Sequence, residues 1–202
     1  MFRTSDSLRS RAVITIAIDL LLSFFTMGVL CSGQTTAQSS TSPVILDLIY
    51  RQKYDEAITR LEEILERDPG NAEALTYLAT ANLYQTRNFN KALDDFKAAF
   101  KAGGGATFFV THSHEKFNTD YITEYCRGWL HLRKDGIEFV PTEGTHGFKL
   151  KYNEVEEFQI NRLSKRAFHI KFSGKSQNFQ GRSNTEFEPL LIIALLKSFT
   201  QK

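Results

Sequence analysis

Residues 89–114 read FNKALDDFKAAFKAGGGATFFVTHSH, and the apolar period changes within them. Up to Lys101 the large or small apolar residues recur at helical spacing: Phe89, Ala92, Phe96 and Ala99. Side chains three and four apart share one face of a helix, so this stretch is an amphipathic helix. Gly103-Gly104-Gly105 ends it and marks a boundary, because glycine is the commonest stop signal. From Thr107 the run TFFVTHSH reads as a strand. Helices before the glycines and strands after them predict an α+β chain.

Working backward, residues 54–69 (YDEAITRLEEILERDP) repeat the same helix, with Tyr54, Ala57, Leu61 and Ile64 in the matching places. Recurrence after about 35 residues marks a helical repeat. Val44–Tyr50, Tyr54–Arg67, Asn71–Tyr84 and Phe89–Lys101 are the expected helices. Asp68-Pro69-Gly70-Asn71 separates the second from the third, with Asn71 as the cap of the latter. Working forward, the expected strands are Thr107–His114, Cys126–Arg133, Gly136–Pro141, Phe148–Tyr152, Val155–Asn161, Ala167–Phe172 and Gln177–Arg182. Thr185–Gln201 is a closing amphipathic helix with acids in its first turn. The division that results is residues 44–103, helical, and 106–202, β-rich.

The helical residues resemble the tetratricopeptide repeat. The second unit carries Leu75, Leu78 and Ala79, then Phe89, Ala92, Phe96 and Ala99; the first has a truncated first helix. The resemblance implies a groove for a partner's peptide, lined in the second unit by Glu73, Thr76, Thr80, Leu83 and Tyr84. Two units leave apolar end faces uncovered. The helical pair therefore has two other destinies: docking on the C-terminal part, or pairing with another copy.

Seven strands and a closing helix resemble the pleckstrin-homology-like fold, and GWLHLRKDGIEFVP (128–141) with KLKYNEVEEFQI (149–160) is similar to its GRAM-type members. The expected form is a seven-stranded antiparallel sandwich or barrel capped by the helix. That fold binds phosphoinositides, peptides or partner domains. Its lipid-binding members place Lys and Arg around the first two strands. Here the connection offers Lys116 against Glu115, Asp120 and Glu124, so protein binding or a purely structural role is expected instead.

The N-terminus has the order of a secretory leader over residues 1–37: Arg3, Arg9 and Arg11, then the apolar run of residues 12–31, then small polar residues. Three outcomes stay open. The leader is cleaved near Ala37; or residues 12–31 remain as a membrane tether, against the charge of Asp19; or Cys31 carries a lipid. Residues 38–43 are a linker. Export to the bacterial periplasm, free or held at the inner membrane, follows.

With 42% hydrophobic residues and a net charge of +2, nothing global points to nucleic acid. Cys31 and Cys126 lie in unlike segments, so no disulfide is expected. The glycine runs lack the Lys-Ser/Thr of a phosphate loop, and no Gly-x-Ser-x-Gly elbow is present. His112, His114 and His146 are the one metal-ligand candidate, because His-x-His in a strand points two imidazoles to one side. The expectation is a non-catalytic scaffold without a cofactor, binding a protein, a peptide or its own second copy. A metal-binding protein or small hydrolase on the histidines is the alternative, and a lipid-surface protein the third.

Overall fold

A computed structural model describes residues 41–113, 125–161 and 165–200. The expected leader over residues 1–37, the alternative tether over residues 12–31, Cys31, His114 and residues 115–124 all lie outside the described residues. Four helices come first: α1 (Thr41–Tyr50), α2 (Tyr54–Arg67), α3 (Ala72–Thr86) and α4 (Phe89–Lys101). Seven strands follow: β1 (Ala106–Ser113), β2 (Tyr125–Arg133), β3 (Gly136–Pro141), β4 (Phe148–Leu150), β5 (Glu157–Ile160), β6 (Ala167–Phe172) and β7 (Lys175–Gly181). Helix α5 (Phe187–Thr200) closes the chain. This is the α+β order that the change of period predicts.

Local chemistry sets the helix limits. The side chain of Asn71 accepts the Ala74 N–H at 2.9 Å and caps α3, as expected. Asn88 does the same for α4, accepting the Lys91 N–H at 3.1 Å. Between them Arg87 takes a left-handed φ of 53° and turns the chain. On α2 the charged residues face water, while Ala57 and Leu61 are buried. Helix α1 starts three residues ahead of the expected Val44, inside the stretch read as linker; Pro43 sits in its first turn, where a missing N–H costs nothing.

The strands form one antiparallel sheet in the order β4-β3-β2-β1-β7-β6-β5. Alternate residues of β1 enter two different cores. Ala106, Phe108 and Val110 join Leu130, Ile137, Phe139, Phe168 and Phe179 from the other strands. Ile192, Leu195 and Leu196 of α5 and Phe96 of α4 complete that cluster. Phe109, with Trp129 of β2, joins a second cluster made of Ile45, Ile49, Leu61, Tyr77 and Tyr84 from α1 to α3. Aromatic pairs tie the helices in: Phe96 to Phe108 at 5.2 Å, and Phe100 stacked on Phe199 at 3.7 Å. All described elements therefore belong to one compact unit, Ser40–Lys202.

The glycine triplet is not a slack connection. Gly103 ends α4 at φ 95°. A Cβ on Gly104 would sit 2.3 Å from the Ala72 carbonyl oxygen, and one on Gly105 would sit 2.0 Å from that of Leu132. These two glycines let the chain pass tightly between α3 and β2.

Candidate interaction site where helix α3 meets strand β1

Strand β7 pairs with β1 only over Val110–Ser113. Before Val110, no strand among the described residues lies on the β7 side of β1, and helix α3 stands there instead. Thr76 Oγ1 accepts the Gly105 N–H at 2.9 Å and donates to the Ala72 carbonyl at 2.8 Å. Thr80 Oγ1 lies 3.0 Å from the carbonyl oxygens of both Thr107 and Thr76 and shares its proton between them. Tyr84 Oη accepts the Phe109 N–H at 2.8 Å.

The spacing explains the fit. Positions 76, 80 and 84 advance along a helix by about 6 Å per step, at 1.5 Å per residue. Positions 105, 107 and 109 advance along a strand by about 6.6 Å per step. Two ladders of nearly equal rung spacing thus run side by side. Buried backbone groups must find partners, and here side chains of a helix supply them.

These are the residues expected to line a partner groove. Thr76, Thr80, Leu83 and Tyr84 are all buried, and Glu73 is exposed. Strand β1 of the same chain occupies the face. Through this face the helical pair docks on the C-terminal part of the same chain.

Arg182, just past β7, locks the other end. Its Nη1 and Nη2 donate to the carbonyl oxygens of Ile49 (3.1 Å) and Tyr50 (2.8 Å), the last carbonyls of α1. A cation at a helix C-terminus also meets the negative end of the helix dipole. The guanidinium lies 5.5 Å from the Phe109 ring, 5.7 Å from Tyr84 and 6.0 Å from Tyr50. Glu188, buried in the first turn of α5, accepts from Ser183 N–H at 2.6 Å and Ser183 Oγ at 2.5 Å through Oε2. Burial, and then the charge of Glu188, hold the Tyr84 hydroxyl well above its ordinary range, so it stays a neutral phenol. No local pattern could reveal this junction, because its partners are far apart in sequence.

His131 faces Thr107 across the β1–β2 pair, with Nδ1 3.0 Å from Thr107 Oγ1. Burial, helped by Arg133, lowers its pKa to about 4.

His112 and His146 line one cleft of about 770 Å³, with Phe148, Phe172, Lys175 and Gln177. His112 is buried, its Nε2 2.8 Å from Gln177 Oε1 and its ring stacked on Phe179 at 4.9 Å. Cys126 Sγ lies 3.7 Å from its Nδ1. Among the described residues, no group of three or more His, Cys, Asp or Glu is placed to hold a metal ion. Among them, too, no helix is long and apolar enough to cross a membrane.

A family model of the tetratricopeptide repeat matches residues 48–94, the end of α1 through the first part of α4. No curated protein matches the chain. Among solved structures, the chain is similar to the C-terminal domain of an unknown protein from Leishmania infantum. Identity is 15%, with 48% of this chain and 82% of that one covered and a TM-score of 0.36. It is also similar to Inner Membrane Complex sub-compartment protein 3 of Toxoplasma gondii. There identity is 11%, coverage 54% and 82%, and the TM-score 0.37.

Proposed function

We propose that this chain is a non-catalytic protein-interaction scaffold. The observation that carries the reading is the tetratricopeptide match over residues 48–94, since repeats of that type serve as protein-binding surfaces. The second support is rigidity: the repeat is fused to the sheet through the α3–β1 ladder, so it presents fixed outer surfaces. With the α3 face occupied, the exposed outer side of α2, bearing Glu62, Glu63 and Glu66, is the surface of the repeat we assign to a partner. The strand order and closing helix favour a pleckstrin-homology-like β unit that acts as a second binding module. The leader-like order of residues 1–37 favours export and work in the bacterial envelope, either free in the periplasm or tethered by residues 12–31.

The test is crosslinking of the full chain in its native cells, followed by reconstitution of each crosslinked protein with the purified chain. A partner that associates at a fixed ratio, and binds more weakly after Glu62→Arg with Glu66→Arg, supports the reading. Crosslinks to no protein, or a pair that never reassociates in vitro, would sink it.

A further inference from the structure

The pleat places Phe109 and Thr111 of β1, Tyr125, Arg127 and Trp129 of β2, and Val140 of β3 on one face of the sheet. Helices α1 to α3 cover one end of that face, where Phe109 and Trp129 are buried. The apolar surface does not stop there. Tyr50 leans on Phe109 at 5.1 Å yet is 45% exposed, Val140 beside Trp129 is 43% exposed, and Tyr125 is 60% exposed. A cleft of about 520 Å³ opens at this bare end, between Tyr50, Tyr125 and Arg127 on one side and the Thr142–Gly144 turn on the other. The turn is held by the Thr142 N–H, which donates to the Arg127 carbonyl at 2.8 Å.

We infer that this bare end is a self-association surface, and that its occupant is a second copy of the chain related by a two-fold axis. The charges choose the occupant. Arg127 and Glu143 line the same cleft, and neither takes part in the ion pairs formed among the described residues. A partner with one sign of charge would satisfy one of them and bury the other without a counter-ion, which is costly. A second copy satisfies both, because a two-fold interface sets each residue of a pair against the other, twice. The side chains suit the task, since Tyr and Arg are the residues most enriched at the centres of interfaces. Tyr125, at 60% the most exposed of these apolar side chains, is the group that enters the opposing cleft beside Tyr50. This surface is separate from α2, so it stands or falls independently of the scaffold reading.

Sedimentation equilibrium of the full chain in density-matched detergent tests it. The wild type is expected to dimerise. Arg127→Glu and Glu143→Arg should each weaken the dimer about tenfold or more, through repulsion across the axis. The double exchange should restore it to within about threefold, because the pair is then only reversed. Tyr125→Ala should weaken it about tenfold, with an unchanged thermal transition showing that the fold survives. A chain that is monomeric throughout overturns the inference. So does a dimer indifferent to both single exchanges, a double exchange no better than the singles, or a Tyr125 that is shielded only by a different protein.

Discussion

Strand β1 has one neighbour, β2, along its whole length, but two different ones on its other side. Over Val110–Ser113 that neighbour is β7, and main chain meets main chain. Over Ala106–Phe109, and at Gly105 just before the strand, it is helix α3, and Thr76, Thr80 and Tyr84 do the work of a strand. The first half needs no particular side chains for its hydrogen bonds. The second half depends on three of them at a fixed spacing of four. The lesson is that a helix can finish a sheet edge when its polar side chains fall in step with the strand. Once it has done so, its face is closed to other ligands.

The largest effect is expected where the helix-backed half of β1 is also packed. Phe96→Ala empties the space beside Phe108 and should cost about 3–5 kcal/mol in urea unfolding. A loss below about 1 kcal/mol would mean that α4 is not part of the sheet's core.

Next comes pH. The unfolded chain protonates His131 below its ordinary 6.5, whereas the fold resists until about 4. Its contribution is therefore complete above pH 6.5 and is lost as pH falls from 6.5 toward 4. The loss is roughly 3–4 kcal/mol, at about 1.4 kcal/mol per pKa unit. His131→Gln should flatten that part of the stability–pH profile. An unchanged slope would show that another group governs it.

Smaller still is Tyr84→Phe, which orphans the Phe109 N–H and should cost about 1–3 kcal/mol. The matched change in the strand-backed half, Thr111→Val, touches no ladder bond and should stay within about 0.5 kcal/mol. Equal costs for the two would erase the contrast between the halves.

Much of this architecture was legible from periodicity. The shift after Gly105, the Asn71 cap, the order of seven strands and the closing helix are all local signals, and all appear. The strand ends were less legible. The Phe148–Tyr152 and Val155–Asn161 expectations shorten to Phe148–Leu150 and Glu157–Ile160 because a turn of 3₁₀ helix, Tyr152–Glu154, intervenes. The face carrying Thr76, Thr80, Leu83 and Tyr84 was singled out on repeat resemblance. What fills it was not legible, because Phe109 of β1 is 25 residues beyond Tyr84, and Arg182 is 132 beyond Tyr50. Likewise the three glycines read as a boundary, since composition cannot separate a hinge from a close approach. The histidines show the limit of spacing alone: His112 and His146 do share a cleft, but His112 is taken up by Gln177 and Phe179.

The most direct measurement is native-state hydrogen exchange at the amides of Gly105 and Phe109. If α3 substitutes for a strand, both exchange as slowly as the strand-paired amides of β1, and in Tyr84→Phe the Phe109 amide alone speeds up markedly. Fast exchange of both amides in the wild type would show that no such ladder exists in solution, and that the α3 face is open to a partner.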